Sequence, residues 1–175
     1  MGRRVARSGL LRRMGRKRGI APHMFRFNLP APVVVLGLAG WLPQALCLVL
    51  VVHGGDWQWS AKAAGCFYAA LILSFLGGLW WMAGLLARVQ SAGLYGVAVL
   101  PSLAAWAALL PWTEGWHWPG PSLVVLGLLL LASPLVDRRL ARTMPAHLPL
   151  PDGWLRLRVW MATGLGLLTL ALAAT

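Results

Sequence analysis

The sequence predicts an all-α fold, an integral membrane bundle of five transmembrane helices. Three observations carry that prediction. Hydrophobic residues make up 59% of the 175 positions and charged residues only 11%, where soluble domains carry roughly 25% charged. Five apolar runs free of charge approach or exceed the length needed to cross a hydrocarbon core of about 30 Å, at about 1.5 Å per helical residue. The basic residues gather outside those runs, nine of the sixteen before residue 27. The net charge of +12 is therefore a topology signal before it is a binding signal, and no nucleic-acid partner is expected.

Residues 1–31 form a basic arm with Arg3, Arg4, Arg7, Arg12, Arg13, Arg16, Lys17, Arg18 and Arg26 and no acid. Such a composition reads as a disordered, solvated segment drawn to anionic headgroups. An Arg-rich targeting peptide and a true start at Met14 or Met24 are two further readings. Residues 32–175 form the membrane domain, with spans expected at about 32–52, 63–87, 93–110, 118–136 and 155–174.

Span one contains Pro43, which removes a backbone donor and predicts a kink, with Gly37 and Gly40 just before it. Gln44 is the expected donor to the freed carbonyl. The connection from His53 to Lys62 is short, so spans one and two pack antiparallel, and its Trp57 and Trp59 suit an interfacial belt. Span two is the patterned one and the expected centre of the bundle. Ala70, Ser74 and Gly78 recur every four residues, Gly77 lies beside them and Gly84 extends the stripe. Small residues at that spacing let another helix approach closely, which is what drives association in lipid.

Span three carries Pro101 and Ser102 at its middle, Ser102 serving the backbone that the proline frees, and its alanines 104, 105, 107 and 108 give it a thin profile. The Pro/Gly/Trp-rich connection 111–121 reads as an aromatic cap at headgroup level. Span four is nearly pure Leu and Val, which suits a lipid-facing position, and Asp137 closes it. Span five opens on Trp154, with Gly164 and Gly166 as close-approach points.

An odd number of spans puts the termini on opposite sides. With the N-terminus inside, the inner segments hold the arm, Arg88, Arg138, Arg139, Arg142, Arg156 and Arg158, and the outer segments hold Lys62 alone. The count stays one-sided without the first 23 residues, so the expected orientation is N-terminus inside, C-terminus outside. The expected location is the bacterial cytoplasmic membrane, with the mitochondrial inner membrane as the alternative.

The segments FYAALILSFLGGLWW at 67–81, VLPSLAAW at 99–106, DRRLAR at 137–142 and Trp154 with Leu157-Arg158 resemble a family of small membrane proteins, domain of unknown function 3429. This group includes mitochondrial and bacterial relatives of transmembrane protein 69. The resemblance covers about residues 33 to 172. It implies a five-helix membrane protein with no assigned activity. It also implies a basic residue or His where this chain has Trp80, and Gly where it has Met82. Those departures argue against a polar role at position 80 and for a bulkier surface at the inner end of span two.

No Asp, Glu, Lys, Arg or His lies inside the five apolar runs, which argues against ion pumps, proton-coupled carriers and voltage sensors. His53, Asp56, Glu114 and His117 collect on the outer side. Glu114 and His117 sit in a Pro/Gly-rich loop, where a Glu-x-x-His spacing loses its helical geometry, so neither metal nor cofactor is expected. Ser74 lacks a His or acid partner at its depth and reads as a packing residue. Cys47 and Cys66 read as buried free thiols. Tyr68 and Trp106 read as packing residues with a wet or bonded tip.

The expected helix-packing set is Ala70, Ser74, Gly77, Gly78, Trp81, Pro101, Ser102 and Trp106, and Arg88 is expected to pair with Asp137 at the inner surface. Two function classes follow. One is a non-catalytic structural or assembly protein whose thin helices receive each other, a partner's helix or a second copy. The other is a lipid or apolar-solute binding protein, with a groove floored by Gly77 and Gly78 and gated by Trp80 and Trp81.

Overall fold

The computed structural model describes residues 29–113, 118–145 and 150–175. The basic arm, apart from its last residues, lies outside them, as do Glu114 and His117. Six helices occur among the described residues: α1 (Ala31–Ala39), α2 (Leu42–His53), α3 (Gln58–Leu86), α4 (Ala92–Thr113), α5 (Gly120–Thr143) and α6 (Trp154–Ala174). Helices α1 and α2 together make one span, so five helical units are long and apolar enough to cross a membrane.

The first span is broken outright. Pro43 sits in the first turn of α2, where its missing N–H is harmless. The chain reaches it through tight i→i−3 bonds, Gly40 N–H to the Gly37 carbonyl at 3.3 Å and Trp41 N–H to that of Leu38 at 3.0 Å. At the break the Gly40 carbonyl accepts from the Tyr68 hydroxyl of α3 at 2.6 Å. Gln44, expected to serve the break, points elsewhere and donates to Thr169 Oγ1 of α6 at 3.1 Å. Trp41 seals the other side by donating its indole N–H to the Met161 carbonyl at 3.1 Å.

Gly54 and Gly55, at φ 76° and 89°, turn the chain directly into α3. Much of the expected loop is thus helix, Lys62 included, and α3 spans 29 residues, about 43 Å at the usual rise. It ends in a left-handed residue, Arg88 at φ 52°, with Val89 N–H reaching back to the Gly84 carbonyl at 3.0 Å. That is a Schellman stop with Arg where Gly is usual.

Helix α3 packs against α2, α4, α5 and α6. The α4 seat follows from Gly77, where an added Cβ would collide with the Ala98 carbonyl oxygen and meet the Pro101 Cβ at 3.5 Å. Helix α5 departs from expectation. It is not the lipid-facing span: Leu123, Leu126 and Leu130 are buried and it packs between α3 and α6. It also carries a proline unremarked in the sequence, Pro134, and the Ser133 hydroxyl donates to the Leu130 carbonyl at 2.8 Å. That carbonyl is the one Pro134 deprives of its N–H. Backbones of α5 and α6 come close at Gly127 and Gly166, where a Cβ on Gly166 would lie 2.7 Å from Leu131 Cγ and 3.1 Å from the Gly127 carbonyl.

A buried charge cluster beside an apolar groove

Inside the bundle Arg158 of α6 forms an ion pair with Asp137 of α5. Arg158 Nε donates to Oδ2 at 2.9 Å and Nη2 donates to Oδ1 at 3.3 Å. Trp80 of α3 donates its indole N–H to Oδ1 at 2.8 Å. Three helices thereby meet on one carboxylate. Asp137 is 1% exposed, Trp80 4% and Arg158 7%, so the group is internal and its charges are neutralised in place. The Trp154 ring lies 5.9 Å from the Arg158 guanidinium carbon, adding a cation–π contact.

This arrangement corrects two expectations. Asp137 does not pair with Arg88, which is exposed in the turn after α3; Arg158 and Trp80 occupy the carboxylate. Trp80 is not a surface residue, and it does have a polar role. The reason lies in the end of α5. The apolar run stops at Val136, yet the helix continues six residues past Asp137 to Thr143, about 9 Å deeper. The acid therefore sits inside the bundle instead of at its surface. Antiparallel pairing of α5 with α6 could have signalled this. Asp137–Arg158 and Gly127–Gly166 straddle the same 144–153 connection almost symmetrically, so close approach at one pair implies it at the other.

The packing set divides. Ala70 is buried, Gly77 receives α4, Pro101 is buried, and the Ser74 and Ser102 hydroxyls bond each other at 2.9 Å. Ser102 is therefore engaged across helices, where sequence reasoning had it serving the α4 backbone. Gly78 faces outward, with no atom within 4 Å of a would-be Cβ. Trp81 is exposed and lies against Tyr95 at 4.9 Å between ring centroids, and Trp106 is exposed on α4. The filled stripe is thus Ala70–Gly77–Gly84, with a Cβ at Gly84 falling 2.8 Å from Leu94.

Beside the charge cluster runs a groove of about 520 Å³ between α3, α4 and α5. Leu73 and Trp80 line it from α3, Val97, Leu100, Ala104 and Ala107 from α4, and Leu129, Ala132 and Val136 from α5. Neither Gly77 nor Gly78 floors it. Its polar lining groups are already engaged: Ser133 bonds its own helix and the Trp80 N–H turns away to Asp137. The groove offers apolar contact and no free polar handle. The far end of the bundle is aromatic, with Phe67 packed on Trp112 and Trp118 at centroid distances of 5.9 and 5.7 Å and Trp59 against Trp118 at 6.1 Å. His53 and Asp56 are exposed near that end.

No curated protein matches the chain, and neither does any solved structure. A family model does, over residues 29–174, and its span takes in every helix of the bundle. The chain therefore belongs to the protein family of unknown function DUF3429.

Proposed function

We propose that the protein is a non-catalytic structural or assembly component of its membrane, a compact bundle that presents apolar faces to a partner helix or a second copy. The supporting observation is how its internal polar groups are used. Asp137, Arg158 and Trp80 engage one another, Ser74 engages Ser102, and Gln44 engages Thr169. Each joins different helices, so the interior chemistry ties the bundle together. The broad exposed faces lie on α1, α2 and α4, where Val35, Leu36, Leu46 and Leu100 stand open.

The membrane is proposed to be the bacterial cytoplasmic membrane, with the arginine-bearing ends of α3, α5 and α6 inside and in contact with anionic headgroups. Affinity purification from native membranes in mild detergent tests the assembly reading. It expects a membrane protein, or a second copy, recovered at fixed stoichiometry. Recovery of a lone chain would count against it, and so would purified protein that turns over a substrate.

The groove supports a second reading, a binding protein for lipid or another apolar molecule. Its size and almost wholly apolar accessible lining favour a hydrocarbon guest.

A further inference from the structure

Resting on that second reading, we propose that the α3–α4–α5 groove holds one acyl chain of an anionic phospholipid from the leaflet at the arginine end, with the phosphate on Arg139. Length is the first argument. The lining runs along α4 from Val97 to Ala107, about 15 Å at the helical rise and about half of a 30 Å hydrocarbon core, which is the depth of one leaflet. Chemistry is the second, because the groove holds no unengaged hydrogen-bonding group and so suits a chain of methylenes.

Charge at the mouth is the third. Leu129, Ala132, Ser133 and Val136 form one face of α5, and Arg139, three residues past Val136, stands at the edge of that face one turn nearer the end. Arg139 is exposed, and a guanidinium can hold a phosphate through two parallel bonds. The adjacent acid does not oppose it, because Asp137 is turned inward onto Arg158. Arg88 is exposed at the same end of α3 and adds to the field.

The test is native mass spectrometry of the delipidated full chain in mild detergent, offered equimolar phosphatidylglycerol and phosphatidylcholine with identical chains. One bound lipid is expected, with phosphatidylglycerol favoured about fivefold, the effect of one basic residue near the surface. Arg139→Gln should keep the bound lipid and abolish the headgroup preference. Arg138→Gln, which lines a separate cleft with Asp152, should leave it intact. Ala104→Trp should fill the groove and lose the lipid of either headgroup; Ala107→Trp, at an exposed lining position, serves if the first variant does not fold. A lipid lost on filling the groove but held without headgroup preference overturns the phosphate assignment and leaves the second reading standing. Lipid retained by folded groove-filling variants, or no bound lipid at all, overturns both.

Discussion

Replacing Arg158 with Met should be among the most damaging single substitutions in this chain. It strips two charge-assisted bonds from a carboxylate that is 1% exposed and leaves a lone buried charge, which typically costs about 3–5 kcal/mol. That corresponds to roughly two to four powers of ten in the unfolding equilibrium. Asp137→Leu should cost a similar amount, because it strands the guanidinium and also leaves the Trp80 N–H without an acceptor. The pair together should cost far less than the sum, because no charge remains inside. What persists is the orphaned indole, worth about 1–3 kcal/mol, and adding Trp80→Phe should recover most of that.

The assay is reversible unfolding in mixed detergent micelles across the full cycle of single, double and triple variants. A coupling energy of at least about 2 kcal/mol between positions 137 and 158 is expected. Singles costing under about 1 kcal/mol, or costs that add within about 0.5 kcal/mol, would refute the reasoning.

Other consequences are checked in the same way. Gly77→Leu should prevent α4 from seating and abolish folded protein on size-exclusion chromatography, whereas Gly78→Leu, facing open space, should elute as the native chain does. Tyr68→Phe removes the one hydroxyl on the Gly40 carbonyl and should cost about 1–3 kcal/mol in the same unfolding assay. Gly166→Leu should separate α5 from α6, read as lost protection of both helices in hydrogen exchange. A reporter on the C-terminus should be active only outside the cytoplasm, and one on the α5–α6 connection only inside it.

The spans were legible because lipid imposes a single rule on the backbone, which length and apolarity satisfy. The seat of α4 on Gly77 was legible too, since a glycine in a helix facing an alanine-rich partner has one obvious use. The choice of Gly77 over its neighbour Gly78 was not, since the two differ by only about 100° around the helix. Burial of α5 was illegible because Leu and Val look alike whether they face lipid or another helix. The charge cluster was missed because helix ends were drawn where hydrophobicity falls, at Val136, while the helix itself runs on past Asp137 to Thr143. Ser133 before Pro134 was readable in principle, as a hydroxyl placed to serve the carbonyl the proline frees.

Helices rich in Leu and Val can slide past one another in lipid by a whole turn and lose almost nothing, because every height looks alike to a hydrocarbon solvent. The Asp137–Arg158 bond removes that freedom from α5 and α6. A shift of one turn, about 5.4 Å, would separate opposite charges and leave both stranded in oil. The only acid buried among the described residues thus acts as a depth stop: together with the close contact at Gly127 and Gly166 it permits one vertical alignment of the two rods, and through Trp80 it passes that alignment to a third.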